Sequence, residues 1–207
     1  MRPVRGWGVR GAAVAVLIVV ASCGSESTDV STADPLHELI TLDQLVAPGF
    51  TVLSPAMHLG AATLAGGDAA VESALTAGGL QSAASVEFQR TVDFGTSNGP
   101  IDVVATVERF AGTGGASTAY SASVRRLDAV QGAVPTSTGP LGDEAHSISV
   151  VRTAPDGLQA VEITVVWRVA NLVNIIIARG RYGGTRLADA LVLAGVQTQN
   201  ESAIGSA

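Results

Sequence analysis

The segment Gly95-Thr96-Ser97-Asn98-Gly99 matches the G-x-S-x-G pattern of a nucleophile elbow. In that elbow a strained strand-to-helix turn presents the serine hydroxyl beside an oxyanion hole. Here amphipathic strands are predicted on both sides and Pro100 follows, so the pattern favours a hairpin turn. His146 is the only histidine downstream, and no motif ties it to Ser97. The chain is therefore predicted not to be an enzyme, and a secreted serine hydrolase using Ser97 is kept as the alternative.

A glycine-rich segment at 112–117, Gly-Thr-Gly-Gly-Ala-Ser, lies between a predicted strand and a predicted helix. Backbone N–H groups at such a place could hold a phosphate. However, no lysine follows the glycines, and Ser117 stands where a dinucleotide-binding loop has its third glycine. An ordinary connecting loop is favoured.

The residue types that bind metal ions are scattered along the chain. His37, His58 and His146 fall in separate segments without metal-ligand spacing, so no metal and no cofactor is predicted. The pair Asp143-Glu144 could orient a ligand or bind a cation, but such pairs more often cap a turn or a helix N-terminus, which is the favoured interpretation.

Polar residues interrupt two apolar strand patterns. Arg90 stands on the apolar face of its strand, where it either extends its guanidinium to solvent or is a buried cation that needs an anionic partner. Asn174 lies within a strand that is apolar on both faces and must form hydrogen bonds if it is buried. A structural role is favoured for both. If a pocket exists, Arg90, Asn174 and Trp167 are the candidate ligand-binding residues.

The first 23 residues indicate where the protein is located. Three arginines and no acidic residue occur within residues 1–10, and an apolar run at 11–21 is too short to span a bilayer. The run ends in Val20-Ala21-Ser22-Cys23, which resembles the lipobox of bacterial lipoproteins. An ordinary cleaved signal with an incidental cysteine and an uncleaved anchor are the alternatives, although the polar residues 24–27 argue against an anchor.

The lipobox resemblance implies that residues 1–22 are a signal peptide and that Cys23, the only cysteine, becomes the lipidated N-terminus. The protein would then be held on the extracytoplasmic face of the cell membrane. Residues 23–34, which are rich in serine, threonine and aspartate, are predicted to be the lipidated cysteine and a flexible tether.

The charge balance argues against a nucleic-acid partner. The chain holds 12 basic residues, all arginine, and 18 acidic residues. Removal of the three arginines of the signal leaves nine basic groups and a net charge of −9. The lysine-free composition, rich in alanine, glycine and valine, is typical of a high-GC bacterium such as an actinobacterium.

Hydrophobic periodicity predicts an α+β fold in which about five antiparallel strands are covered by helices. Residues 35–196 are predicted to be a single domain and residues 197–207 a polar tail. The segment 132–142 is predicted to be a loop. The predicted helices are short pieces in 36–45, a looser turn in 54–66, an Asp68-capped helix to Ala77, a helix over 117–130 and one from Thr185 to Gly195. The predicted strands are 86–94 and 101–108, which form a hairpin, then 147–153, 161–168 and 172–178, the last at the sheet centre.

Three segments, 45–50 (Leu-Val-Ala-Pro-Gly-Phe), 140–145 (Pro-Leu-Gly-Asp-Glu-Ala) and 168–173 (Arg-Val-Ala-Asn-Leu-Val), resemble a broad group of actinobacterial lipoproteins. That group is similar to extracellular sensor domains of bacterial Ser/Thr kinases and to PsbP-like α/β/α sandwiches. The resemblance covers roughly 36–196, and Ala170 stands where a glycine is expected. It implies a non-catalytic, membrane-anchored module that binds a small or lipidic ligand or an envelope protein. A purely structural envelope protein is a further alternative.

Overall fold

The computed structural model describes residues 30–45 and 47–204. The predicted signal peptide and Cys23 lie outside these residues. The helices are α1 (Pro35–Glu38), α2 (Ala61–Ala65), α3 (Ala69–Ala77), α4 (Thr113–Asp128) and α5 (Leu187–Ile204), with 3₁₀ turns at Leu42–Gln44 and Phe94–Thr96. The strands are β1 (Phe50–His58), β2 (Leu80–Arg90), β3 (Asp102–Phe110), β4 (Ala133–Thr136), β5 (Glu144–Thr153), β6 (Gln159–Val169) and β7 (Leu172–Arg181).

The strands of the described chain form one antiparallel seven-stranded sheet in the order β1-β2-β3-β7-β6-β5-β4. The α+β class is confirmed, as are the β2–β3 hairpin and the central position of β7. The predicted count of about five strands was too low, because both edge strands were missed. The looser helical turn expected in 54–66 is present as α2 at Ala61–Ala65. The residues before it, up to His58, instead belong to β1, which is mostly exposed and pairs with β2 through two register shifts. Neither β1 nor β4 shows the alternation that marks a half-buried strand.

Helices cover both faces of the sheet. On one face α1 and α5 pack against a core that includes Phe88, Trp167 and Leu193. On the other face α3 and α4 pack against a smaller core around Phe110 and Val173. The fold therefore has three layers, with helices on both sides of the sheet. The alternating pattern of β3 predicted that one of its faces contacts solvent, but α4 partly covers that face, because it contacts β3, β7 and β6.

The Asp68-capped helix α3 was predicted correctly. The Asp68 carboxylate accepts hydrogen bonds from the N–H groups of Ala70 and Val71, and these are among the donors that a helix N-terminus leaves unpaired. Its buried Leu75 faces α4.

The predicted polar tail at 197–207 is wrong for its described part, because α5 continues through Gly195 to Ile204. Gln197 and Glu201 are buried. Asn200 donates hydrogen bonds to the Leu39 carbonyl and to Gln44. Gln197 donates to the Thr106 carbonyl and to Asn174 on the sheet, whereas Asn200 fastens α5 to the N-terminal segment, and local periodicity cannot reveal either contact.

The β6–β7 connection is a two-residue turn at Ala170-Asn171, and Ala170 has a φ of +49°. Left-handed backbone is unfavourable for alanine. The Ala170 N–H donates to the Asp143 carboxylate at 2.8 Å, and the same carboxylate lies 3.0 Å from the buried Arg168 guanidinium. The Asp143-Glu144 pair thus stabilises this turn, as favoured from the sequence.

Asn171 connects the start of the described chain to the sheet. Its side-chain oxygen accepts the Ser31 N–H at 2.7 Å, and its amide donates to the carbonyls of Ser31 and Phe110. The last residues of the predicted tether, from Ser31 onward, are therefore bound to the fold.

Candidate functional site

Ser97 and His146 have separate partners. The Ser97 hydroxyl donates to the Phe94 carbonyl at 3.0 Å in the 3₁₀ turn, and Arg181 binds the Ser97 carbonyl. The His146 ring lies 2.9 Å from Asp128 at the end of α4. The structure does not bring the serine and the histidine together, and Ser97 lies in the connection of a hairpin rather than between a strand and a helix.

Arg90 closes the β2–β3 connection. Its guanidinium donates to the carbonyls of Asn98, Gly99 and Pro100, and it stacks over the Phe50 ring at 5.6 Å. These contacts give the Arg90 guanidinium its hydrogen-bond and cation–π partners at the end of the apolar face, and they hold the β2–β3 connection in place.

Trp167 and Asn174 are fully buried beneath α5. The Trp167 indole N–H donates to Thr198 at 3.0 Å. The Asn174 oxygen accepts the Gln197 amide at 3.0 Å. Neither side chain, nor that of Arg90, lines the cavity described below.

The glycine segment at 112–117 is mostly the first turn of α4, because the helix begins at Thr113 rather than at the predicted Ser117. A side chain on Gly115 would overlap the Gly78 carbonyl at the end of α3. Gly115 is thus explained by the close approach of α3 and α4.

A cavity of about 350 Å³ lies between α3, α4 and the sheet. Its apolar walls include Leu64, Val71, Leu75, Leu127, Ile175 and Ile177, and its polar lining residues are Thr106, Glu108, Ser123, Arg126, Glu162 and Thr164. Small-molecule sites combine mostly apolar walls with a few polar groups, and this volume lies within their usual range.

Glu108 is the unusual residue of this cavity. It is 4% exposed, and its Oε2 atom has no hydrogen-bond partner among the described residues. Burial raises the pKa of Glu108 to about 7, and the positive charge of Arg126 only partly opposes this effect. A buried carboxyl without a partner is costly, and such groups concentrate at functional sites.

The sheet next to the cavity is acidic. Arg179 lies 2.7 Å from both Asp102 and Glu162, and Glu162 also lines the cavity. Burial, followed by the neighbouring Asp102, raises the pKa of Glu87. The carboxyl groups of Glu87, Asp102 and Glu162 thus surround the guanidinium of Arg179.

A second buried acidic cluster lies under α5. Glu38 is 1% exposed and Glu201 is 8% exposed. Burial, followed by the charge of Glu38, raises the pKa of Glu201 to about 8, while Asn174 lowers it. Burial likewise raises the pKa of Glu38. Buried polar atoms of Glu38, Glu201, Asn174 and Gln197 lack hydrogen-bond partners of good geometry among the described residues.

Sequence reasoning missed Glu108 because apolar and polar residues alternate in β3, and this alternation placed Glu108 on a face expected to contact solvent. The helix α4 was the available signal that this face is covered, because its predicted apolar stripe of Tyr120, Val124 and Leu127 must pack against a face of the sheet. Within the described chain, no helix is both long and apolar enough to cross a bilayer.

Comparison with solved structures finds the extracellular domain of PknH from Mycobacterium tuberculosis, with a TM-score of 0.48 and 12% identity. The match covers 80% of this chain and 93% of that chain. No protein-family model and no curated protein matches the sequence.

Proposed function

We propose that this protein is a lipid-anchored, extracytoplasmic and non-catalytic module that binds a small, mainly apolar ligand between α3, α4 and the sheet. The observation that carries the proposal is the cavity of about 350 Å³ with Glu108 among apolar walls. A cavity near 150 Å³ accommodates benzene, so this one has room for roughly a dozen non-hydrogen atoms.

Native mass spectrometry of the purified protein tests ligand binding. A bound mass that disappears on denaturation is expected. Ala122→Phe places a ring on a lining residue of α4 and is expected to remove that mass, whereas Ala129→Phe, at an exposed position outside the cavity, is expected to retain it. The proposal would be contradicted if both variants kept the bound mass equally, or if the wild type carried no bound mass.

The lipid anchor is supported by the sequence around Cys23. Metabolic labelling with an alkyne analogue of palmitate tests it. The wild type and the control Ser25→Ala are expected to carry the label, and Cys23→Ala is expected to lack it. Label on Cys23→Ala would refute anchoring at this cysteine.

The non-catalytic part of the proposal is supported by the separate hydrogen-bond partners of Ser97 and His146. A fluorophosphonate probe is therefore expected to leave Ser97 unmodified. Stable labelling that disappears in Ser97→Ala would restore the hydrolase alternative.

A protein-interaction module is the second candidate, and it is favoured by the edge strand β1. Val52, Leu53 and Met57 are each about half exposed there. Exposed apolar edges are places where another chain can pair. Crosslinking in the envelope tests it: a partner captured by the wild type and lost in Leu53→Glu would support this second role.

A further inference from the structure

Glu108 cannot be explained by the fold alone. Its carboxyl group belongs to a mainly apolar cavity, and Oε2 is buried without a hydrogen-bond partner among the described residues. Burial of such a group without a partner costs free energy, so packing alone would favour an apolar residue at this position. A ligand that pairs with the carboxylate would supply the missing partner, which makes Glu108 the residue that determines the ligand's chemistry.

The other ionisable groups lining the cavity leave Glu108 without an ion pair. Arg126, on α4, is exposed and attracts Glu108 by its charge, and no ion pair between them is found. Glu162, on β6, is bound to Arg179 at 2.7 Å. The walls that face Glu108 from α2 and α3 are apolar.

The charges around the cavity favour a cation. Two of its lining side chains are acidic and one is basic, and Arg179 brings Asp102 beside Glu162. An anionic ligand would meet the carboxylates of Glu108 and Glu162 in a site of low dielectric, which is strongly unfavourable. A cationic group at Glu108 would instead form a charge-assisted hydrogen bond.

We propose that the ligand carries a protonated amine, which binds the Glu108 carboxylate, on an apolar body of about ten non-hydrogen atoms that packs between α3 and α4. This inference rests on the proposed function, because it assigns a ligand class to the same cavity. The ammonium donates to the Glu108 carboxylate where this residue lines the cavity, and the apolar body contacts Leu75, Leu127 and Ile175.

Isothermal titration calorimetry of the purified protein with octylamine, octan-1-ol and octanoate tests the proposal, because the three probes share one apolar chain. Near pH 8 octylamine is expected to bind at least about tenfold more tightly than octan-1-ol, with octanoate weakest. Glu108→Gln is expected to bring octylamine and octan-1-ol to nearly equal affinity. Glu72→Gln removes one carboxylate from the exposed side of α3 and is the matched control, expected to keep the wild-type ratio.

The pH dependence of binding to the wild type is a second test, and it does not depend on whether Glu108→Gln folds. A Glu108 pKa of about 7 leaves roughly a tenth of the carboxyl ionised near pH 6 and roughly nine tenths near pH 8. Octylamine affinity is therefore expected to fall about tenfold from pH 8 to pH 6, while octan-1-ol affinity stays constant.

The outcomes separate the inference from the function on which it rests. Equal binding of octylamine and octan-1-ol, an unchanged ratio in Glu108→Gln, or preference for octanoate would overturn the amine inference and leave an apolar-ligand module standing. Failure of all three probes to bind, or octan-1-ol binding unaffected by Ala122→Phe, would overturn the ligand site itself.

Discussion

Glu201 provides the sharpest test of the energetics, because its carboxyl group is buried in the last part of α5. Neither of its oxygens has a hydrogen bond of good geometry among the described residues, although Asn174 lies near enough to lower its pKa. Burial, with Glu38 nearby, raises its pKa from 4.5 to about 8. The folded protein therefore favours the protonated form. The stability that this provides is complete below the unfolded pKa of 4.5 and is lost as the pH rises towards 8.

The magnitude follows from linkage. At about 1.4 kcal/mol for each tenfold change in proton affinity, a rise from 4.5 to about 8 corresponds to roughly 5 kcal/mol. Relaxation and water entry reduce such a penalty, so about 3 kcal/mol is expected. Because whole domains are stable by only about 5–15 kcal/mol, the loss is large. Glu201→Gln keeps the shape of the protonated acid and cannot ionise.

Urea unfolding followed by circular dichroism, between about pH 5 and pH 9, measures the effect. Glu201→Gln is expected to match the wild type within about 1 kcal/mol near pH 5 and to exceed its unfolding free energy by about 3 kcal/mol near pH 9. Ionisation of Glu108 changes the stability of the wild type and of Glu201→Gln equally, so it cancels in the difference between them. Glu72→Gln, on the exposed side of α3, is expected to keep the wild-type pH dependence. A wild type with flat stability over this range, or parallel curves for wild type and Glu201→Gln, would refute the reasoning.

Three further substitutions test the packing of the fold by urea unfolding. Gly115→Ala is expected to lower the unfolding free energy by about 2 kcal/mol, because the added methyl group overlaps a backbone carbonyl of α3. Gly114→Ala meets no neighbour, so an equal loss there would contradict that explanation. Ala170→Gly is expected to stabilise by about 0.5–1 kcal/mol, since φ is +49° and glycine carries no penalty there; a loss of stability would argue against strain at this turn. Asp143→Ala is expected to cost about 3 kcal/mol by removing the nearer carboxylate from the buried Arg168, and a change below about 0.5 kcal/mol would show that the pair contributes little.

Local signals in the sequence predicted the inner part of the sheet well. The alternation in β2 and β3, with dense turn residues between them, is enough to predict a hairpin, because both periodicity and turn chemistry act over a few residues. The continuous apolar run of β7 predicted its central position, since a strand covered on both faces has no solvated side. The Asp68 cap is equally local.

The edges and the covered faces of the sheet could not be predicted in this way. β1 is an exposed strand that pairs with β2 through two register shifts, so its side chains do not alternate. The polar residues of α5 beyond Gly195 have the composition of a tail, yet Asn200 is bonded to Leu39 at the other end of the chain. Such contacts join segments that are far apart in sequence.

For the candidate ligand residues, too, the sequence showed the local feature and only the structure showed the distant partner. The sequence identified Arg90 and Asn174 as polar residues in apolar strands, and it required hydrogen bonds for Asn174 if buried, while leaving open whether Arg90 reaches solvent or needs an anionic partner. It could not show that the Arg90 partners are turn carbonyls or that the Asn174 partner lies on α5. Nor could it distinguish Glu108 from any solvated strand residue.

The sequence by itself determined the α+β class, the central hairpin and strand and the Asp68 cap, and it alone carries the case for a lipid on Cys23. Only the tertiary structure decided the environments of Glu108 and Glu201. The physical reason is that alternation and capping act within a few neighbouring residues, whereas desolvation depends on what packs from elsewhere. α4 covers Glu108 and the N-terminal segment covers Glu201, and that burial turns two ordinary acidic residues into the most unusual groups of the described fold.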